Sequence, residues 1–240
     1  MIHILTPTYG RTDAMRALVD SARSTAADDG SYRFVFGVDP DDSASAATAR
    51  ELEADASVGP GHCGVHWHRM SLALDSASES DLVMLCADDI RFESSGWDHK
   101  MLERREHGVL YFGEDGIQHA ALATHPWMTV RTVRALGGLT TGEWAIYNDT
   151  WLWCLFGLFD PPAREYRPEI VTRHHWAGEN PRNLTRHDDA RARFAAVGSD
   201  LATRAFVGLR ALREGTVREH SGLHGLGMSL VDGRVEVTFA

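Results

Sequence analysis

Carboxylates follow two apolar stretches of this sequence. Asp88 and Asp89 come directly after one stretch, and Asp39 follows another, with Asp41 and Asp42 close behind. Carboxylate oxygens are the ligands that Mg²⁺ and Mn²⁺ prefer, and such an ion can bridge a diphosphate. Asp88 and Asp89 therefore predict a cation site for a phosphate ligand. A turn or a helix cap is the structural alternative for such a pair.

Two histidines and one more aspartate are the other candidates for chemistry. His174 and His175 follow a β-rich stretch, where an imidazole could supply a further metal ligand. Because side chains alternate along an extended segment, only one of the two is expected to reach inward. A solvated or core histidine is the alternative. Asp149 precedes an aromatic helix and is a candidate general base, with a helix N-cap as the other interpretation.

The periodicity of apolar residues indicates the elements that must position these side chains. The first ninety residues alternate between β-rich runs and helical spacing. The predicted strands are His3–Pro7, Phe34–Val38 and Asp81–Cys86, the predicted helices are Thr12–Ala26, Ala46–Ala54 and Trp67–Ser78, and Ser57–Gly64 is predicted as a loop. This order predicts a parallel sheet, and the carboxyl ends of its strands meet at one edge. The carboxylates and Pro7-Thr8-Tyr9 should share that edge.

The remainder of the chain has a mixed pattern. The predicted helices are Trp97–His107, Val130–Leu136, Asp149–Leu158 and Asp188–Arg213, the predicted strands are Gly108–Phe112 and Pro168–Thr172, and Met228–Phe239 is predicted as a hairpin around Asp232-Gly233. A mixed sheet is expected to continue the parallel one, and 240 residues fit a single domain.

Composition narrows the possible location and partners. No run of about 18 apolar residues occurs, so neither a membrane span nor a signal peptide is expected. Three cysteines without CxxC spacing favour reduced thiols and a cytoplasmic protein. The formal charge of -10 is unevenly distributed. Residues 1–159 carry 12 basic and 23 acidic side chains, whereas residues 160–220 carry 11 and 9.

Taken in order, the motifs resemble those of inverting family 2 glycosyltransferases with the GT-A fold. Residues 4–11 resemble that family's opening strand and Pro-Thr-Tyr-Asn-Arg turn, with Gly10 in place of Asn. Val38-Asp39 resembles the Val-Asp that ends its second strand. Residues 85–90 resemble its DXD motif, with Cys86 in place of the first Asp. Residues 136–139 and 147–152 resemble its Gly-Gly-Phe and Glu-Asp segments, and the resemblance fades after residue 180.

This resemblance implies a three-layer α/β/α sandwich with a mixed, mainly parallel central sheet. It implies a UDP-sugar donor with Mn²⁺ or Mg²⁺, and Asp149 as the general base. The positions that would bind the donor are Pro7, Thr8, Tyr9, Arg11, Asp39, Arg69, Ala87 and Asp88. The positions that would bind the metal are Asp88, Asp89 and one of His174 and His175. Cys86 stands where the family has the carboxylate that contacts the ribose, so the resemblance does not carry that contact over to this chain.

The resemblance also divides the chain into regions. Residues 1–180 form the expected catalytic domain, with a nucleotide-sugar and metal half at 1–95 and an acceptor half at 96–180. Residues 181–240 form the expected helix and hairpin extension on the same domain. Two alternatives are a sugar nucleotidyltransferase and an inactive GT-A-fold binding protein. A nucleotidyltransferase usually opens with a Gly-rich basic loop, which Thr6–Arg11 lacks.

Several acceptors fit the sequence. One is a 5-hydroxymethylpyrimidine in phage DNA, since some small phage enzymes that glycosylate modified bases have the GT-A fold; the location would then be the host cytoplasm. The arginines that could follow a phosphate backbone are Arg182, Arg186, Arg191, Arg193, Arg204, Arg210 and Arg213. A solvated arginine-rich helix or a dimer contact is the alternative. A saccharide, lipid-linked or protein acceptor fits equally well.

Overall fold

A computed structural model describes residues 1–144, 147–175, 187–213, 216–217, 220–221 and 226–239. The helices are α1 (Thr12–Thr25), α2 (Ser43–Glu51), α3 (Cys63–Leu72), α4 (Trp97–Leu102), α5 (Val130–Leu136), α6 (Asn148–Gly157) and α7 (His187–Leu212). The strands are β1 (Ile2–Thr8), β2 (Tyr32–Val38), β3 (Asp55–Val58), β4 (Leu82–Leu85), β5 (Ile90–Phe92), β6 (Leu110–Glu114), β7 (Trp127–Thr129), β8 (Phe159–Asp160), β9 (Arg164–His174), β10 (Thr216–Val217), β11 (His220–Ser221), β12 (Leu226–Val231) and β13 (Arg234–Phe239).

Eight of these strands form one sheet in the order β3-β2-β1-β4-β7-β6-β9-β5. The pairs β1/β2, β1/β4 and β2/β3 are parallel, as the alternation of strands and helices predicts. β7 enters antiparallel between β4 and β6, and β5 pairs antiparallel with β9. The sheet is therefore mixed and mainly parallel, and the predicted fold class is confirmed.

The sheet separates two apolar cores, which gives the molecule three layers. Strand β4 shows the division, because Leu82 and Met84 pack on one side with α1, α2 and α4. Val83 and Leu85 pack on the other side with α3, α5, α6 and α7. All four side chains are buried, which is expected of a strand with helices on both faces.

Several predicted boundaries were wrong, for local reasons. β3 lies partly in the predicted loop, and its mostly exposed residues carry no alternation that would reveal an edge strand. Helix α3 begins four residues earlier than predicted, where the side chain of His62 accepts a bond from the Val65 amide, and it ends at Leu72. Helix α4 ends at Leu102, five residues early. Strand β9 extends well beyond the predicted 168–172.

The C-terminal elements share the core of the rest of the chain. Phe206 of α7, Leu226 of β12 and Val235 of β13 belong to the same apolar cluster as α5 and α6. Helix α7 approaches α5 so closely that a Cβ at Gly208 would lie 1.8 Å from the Ala135 carbonyl oxygen. Within the described ranges, no helix is both long and apolar enough to cross a membrane.

Candidate active site

The carboxyl ends of β1, β2 and β4 open into one cavity of about 640 Å³. The predicted residues among those lining it are Pro7, Thr8, Tyr9, Arg11, Asp39, Asp41, Ala87, Asp88 and Asp89. Parallel pairing produces this arrangement, since Thr8 lies opposite Val38 and Leu5 lies opposite Leu85. The three strand ends that the sequence singled out are therefore brought together, as predicted.

Asp88 is held by two neighbours from the turn that follows β1. Its Oδ2 accepts a bond of 2.8 Å from the Thr8 hydroxyl, and its Oδ1 lies 2.7 Å from Nη1 of Arg11. The second guanidinium nitrogen of Arg11 lies 3.3 Å from Oδ2 of Asp89. One guanidinium therefore spans both carboxylates of the predicted metal pair.

Burial and the neighbouring Asp89 disfavour the negatively charged form of Asp88. Burial raises the pKa of Asp88 to about 6, and Asp89 acts in the same direction, whereas Arg11 and Thr8 favour the charged form. Asp88 is only 5% exposed. A neighbouring cation therefore stabilises the ionised carboxylate, and Arg11 supplies one in this structure.

Three carboxylates follow β2, and each has a different neighbour. Asp39 is buried and accepts at Oδ1 from the Gly61 amide at 3.1 Å and from Nε2 of His66 at 3.0 Å. Asp41 accepts a bond of 3.3 Å from the Tyr9 hydroxyl. Asp42 caps α2 and also binds the Gly10 amide at 2.7 Å. Only Asp39 and Asp41 line the cavity among these three.

Arg69 does not line the cavity itself but bonds to a residue that does. It is absent from the described lining of the cavity, and one of its Nη atoms lies 2.8 Å from Nδ1 of His66. The same nitrogen donates to the Ser57 carbonyl at 3.0 Å, and Nε donates to the Ser57 hydroxyl at 3.2 Å. Arg69 is therefore linked to the cavity wall through His66, and its direct contact with the donor stays a prediction.

His66 is one of several lining residues that the sequence analysis missed. It belongs to no motif, and its partners are Asp39, directly after β2, and Arg69, one turn further along its own helix. Burial and then the neighbouring Arg69 lower the pKa of His66. The imidazole is therefore neutral near pH 7.

The structure does not bring His174 or His175 to the aspartate pair. Ile90 pairs with His174, and the amide of His175 donates to the Asp89 carbonyl at 2.6 Å, so the backbones are adjacent. The His175 ring points instead towards Glu93, at 3.9 Å, and His174 packs on His125 with ring centroids 4.7 Å apart. Both rings thus have contacts away from the aspartate pair, and a histidine ligand to the cation stays a prediction. The neighbouring Trp176 lies outside the described residues.

Asp149 lies in the first turn of α6 and is half-buried. Tyr147 occupies the N-cap position, so the cap alternative for Asp149 is not supported. Asp149 does not line the cavity among the described residues. Trp144, five residues earlier in the sequence, packs against the start of α3, because its carbonyl oxygen would lie 2.0 Å from a Cβ at Gly64.

Cys86 takes no part in the cavity wall described here. The side chain is fully buried, and burial raises the pKa of its thiol. The position therefore supplies packing where the resembled family has a ribose-binding carboxylate.

The residues present fit a cation that the protein shares with a phosphate ligand. Asp88 and Asp89 supply hard oxygen atoms inside the cavity. No three His, Cys, Asp or Glu side chains converge within the part of the chain that the structure describes. Mg²⁺ is commonly bound by one or two carboxylates together with substrate phosphates and water, and that is the arrangement these side chains allow.

Comparison with solved structures supports the fold. The mannosyltransferase PcManGT from Pyrobaculum calidifontis, in complex with GDP-Man and Mn²⁺, superposes with a TM-score of 0.58 at 12% identity, covering 90% of this chain and 65% of that one. S. aureus TarS 1-349 in complex with UDP-GlcNAc superposes with a TM-score of 0.58 at 9% identity, covering 88% of this chain and 74% of that one. Glucosyl-3-phosphoglycerate synthase from Mycobacterium tuberculosis, in complex with Mn²⁺, UDP and phosphoglyceric acid, superposes with a TM-score of 0.53 at 12% identity, covering 85% of this chain and 78% of that one.

These likenesses show that the chain has the GT-A glycosyltransferase fold. The chain spans 65% of the mannosyltransferase and 43% of a longer TarS structure. No protein-family profile matches the sequence, and no curated protein is similar enough in sequence to match.

Proposed function

We propose that the protein is a glycosyltransferase that moves a sugar from a UDP-sugar to an acceptor hydroxyl with inversion of configuration. The observation that carries the proposal is the convergence of Tyr9, Asp39 and Asp88 in one cavity at the carboxyl edge of a GT-A sheet. Ligands of open α/β sheets bind at this edge. The solved structures named above contain GDP-Man, UDP or UDP-GlcNAc, two of them with Mn²⁺.

The cavity has two chemically distinct ends in this proposal. Pro7 and Tyr9 offer apolar and aromatic surface for the base, and Asp39 offers an acceptor for its ring N–H. Thr8 and Arg11 lie with Asp88 and Asp89 where the diphosphate belongs. Mn²⁺ or Mg²⁺ held by the two aspartates would neutralise the charge of the leaving diphosphate.

Asp149 is the proposed general base. It would take the proton of the acceptor hydroxyl as that oxygen attacks the anomeric carbon, on the face opposite the departing diphosphate. Its place in the first turn of α6 supports this role, since nearby Trp144 packs against Gly64, the neighbour of the lining residue Cys63. Residues 1–180 are the proposed catalytic domain, and the location is proposed to be cytoplasmic.

Hydrolysis and transfer assays test the proposal. The protein is incubated with a panel of UDP-sugars and Mn²⁺, and release of UDP is followed with and without chelator. We expect the wild type to release UDP, and the chelator to abolish this release. Asp88→Asn should reduce the rate of UDP release at least tenfold, and Asp20→Asn, on the exposed face of α1, is the control. Turnover of a sugar phosphate with a nucleoside triphosphate would instead identify a nucleotidyltransferase. Binding of UDP-sugar without any turnover would identify an inactive binding protein.

The acceptor is proposed only as a hydroxyl group, with 5-hydroxymethylpyrimidine in DNA as one candidate. Exposed Arg204 and Arg210 on α7 are compatible with a phosphate backbone. Arg182 and Arg186 lie outside the described residues, as do the side chains of Arg191 and Arg193. Salt-sensitive binding to duplex DNA would favour this acceptor, and the absence of binding at low salt would remove it in favour of a saccharide or lipid-linked one.

A further inference from the structure

Three side chains are linked by hydrogen bonds at the proposed base end of the cavity. A guanidinium nitrogen of Arg69 lies 2.8 Å from Nδ1 of His66, and Nε2 of His66 lies 3.0 Å from Oδ1 of Asp39. Ser57 on the edge strand β3 fixes the far end through its carbonyl and hydroxyl oxygens. We call these three side chains the Arg69–His66–Asp39 relay.

The chemistry of the relay determines where its protons lie. A guanidinium carries only donors, so Nδ1 of His66 must accept from Arg69. A neutral imidazole has one donor and one acceptor, so Nε2 carries the proton and donates to Asp39. Arg69 thus selects the tautomer of His66 that supplies a hydrogen bond to the carboxylate.

Close packing restricts the side-chain conformation of His66. His66 is 3% exposed, and a Cβ at Gly37 on β2 would lie 2.7 Å from the Cβ of His66. Only glycine at that position leaves room for the imidazole. The amide of Gly61 donates to the same Oδ1 atom of Asp39 at 3.1 Å, so two N–H groups define the orientation of the carboxylate.

We propose that His66 is a positioning residue that sets the base specificity of the donor site. Through the relay it holds Asp39 as a fixed acceptor towards the cavity. A base with a ring N–H, such as uracil at N3, then donates to Asp39. Cytosine has an unprotonated N3, which is a hydrogen-bond acceptor. It would therefore face the Asp39 carboxylate, another acceptor, without a hydrogen bond between them. This inference rests on the proposed function.

The test compares two nucleotides that differ in this edge of the base. Binding of UDP and CDP is measured by titration calorimetry with Mn²⁺ for the wild type, His66→Phe and His66→Gln. Sites built to bond a substrate N–H reject analogues that lack it by large factors, so we expect the wild type to prefer UDP about 100-fold or more. His66→Phe keeps a ring against Gly37 but has no donor, and the preference should fall at least tenfold. His66→Gln restores an N–H donor and should recover most of the preference.

The structure offers a matched control at the opposite end of the same strands. Arg33 Nε donates to Nδ1 of His3 at 2.8 Å, and Nε2 of His3 lies 3.4 Å from Asp81. His3→Phe interrupts this similar set of contacts, also around a 3% exposed histidine, far from the cavity. We expect it to leave the ratio of UDP to CDP affinity unchanged.

Binding of inorganic pyrophosphate with Mn²⁺ separates base recognition from general damage. Its affinity should stay within twofold across all variants, because His66 lies at the base end. An unchanged UDP preference in His66→Phe, or equal losses for UDP, CDP and pyrophosphate, would overturn the inference. If His66→Phe does not fold, Arg69→Met breaks the relay one step earlier and must lower the preference for the inference to stand. A wild type that binds no nucleotide contradicts the proposed function itself.

Discussion

Arg11 lies 2.7 Å from Asp88 through Nη1 and Oδ1, inside the cavity where a diphosphate is proposed to bind. The guanidinium therefore occupies the oxygens that a divalent cation would use. A divalent cation that binds Asp88 would compete with Arg11 for these oxygens, and the displaced guanidinium would then be available to a phosphate group of the proposed donor.

Removal of this guanidinium should strengthen the binding of Mn²⁺ in the absence of nucleotide. In Arg11→Gln the carboxylates of Asp88 and Asp89 lose the guanidinium that bonds to both of them, and their repulsion favours any incoming cation. We expect at least a threefold gain in Mn²⁺ affinity, measured from the electron paramagnetic resonance signal of free Mn²⁺. Arg16→Gln removes a surface ion pair with Glu51 and is the control. Equal or weaker Mn²⁺ binding in Arg11→Gln would argue against this competition.

The two histidines near Asp89 should not matter for the cation. Because His175 points to Glu93 and His174 packs on His125, we expect His174→Ala and His175→Ala to keep Mn²⁺ affinity within twofold in the presence of UDP. Asp88→Asn, measured alongside, should lose at least tenfold. A tenfold loss in either histidine variant would instead identify that histidine as the metal ligand that the sequence predicted.

Asp149→Asn tests the general base. The amide cannot take the proton of the acceptor hydroxyl, so transfer should fall by about 100-fold or more, the range typical of a positioned base. UDP binding, measured by the shift in melting temperature with Mn²⁺, should be retained. Sugar transfer by Asp149→Asn at close to the wild-type rate would show that Asp149 is not the general base.

Asp115 provides a prediction for stability against pH. Burial raises its pKa, but amide donors from Ile117, His119 and Gln118 and the Thr124 hydroxyl outweigh burial, and the net pKa lies below the usual value. A lowered folded-state pKa stabilises the fold fully above the unfolded-state pKa, near 4, and this contribution is lost as the pH falls through the folded-state value. Asp115→Asn should therefore cost about 1–3 kcal/mol at pH 7.

Urea denaturation from pH 7 to pH 2 measures this difference. We expect the gap between wild type and Asp115→Asn to narrow below about pH 4, where the wild-type carboxylate takes up its proton. Asp20→Asn, on the exposed face of α1, should match the wild type throughout. Equal stability of Asp115→Asn at pH 7 would show that the negative charge of Asp115 contributes nothing net to stability.

Sequence patterns predicted those features that depend on neighbours along the chain. The apolar run of β4 and the carboxylates that follow it predicted where Asp88 lies, because parallel pairing leaves one edge for strand ends. The same logic brought Thr8 and Asp39 to that edge. The place of Arg11 on the carboxylates did not follow from spacing, since it depends on the conformation of the turn at Gly10, which has a φ of 64°.

Features that depend on distant pairing escaped prediction. The orientation of His174 is set by the antiparallel pairing of β5 with β9, and β5 has only three residues. His66 belongs to the site because Asp39 and Arg69 meet on either side of its ring, although 27 residues separate His66 from Asp39. Edge strand β3, which supplies Ser57, lacks the alternation that marks a half-buried strand.

Titration of UDP into the protein with and without Mn²⁺ tests the central claim most directly. We expect one UDP per chain, an affinity at least tenfold higher with Mn²⁺ than with chelator, and loss of that gain in Asp88→Asn. UDP binding that is indifferent to Mn²⁺ and to Asp88→Asn, or no UDP binding at all, would contradict the proposal that this cavity holds a metal-bound nucleoside diphosphate.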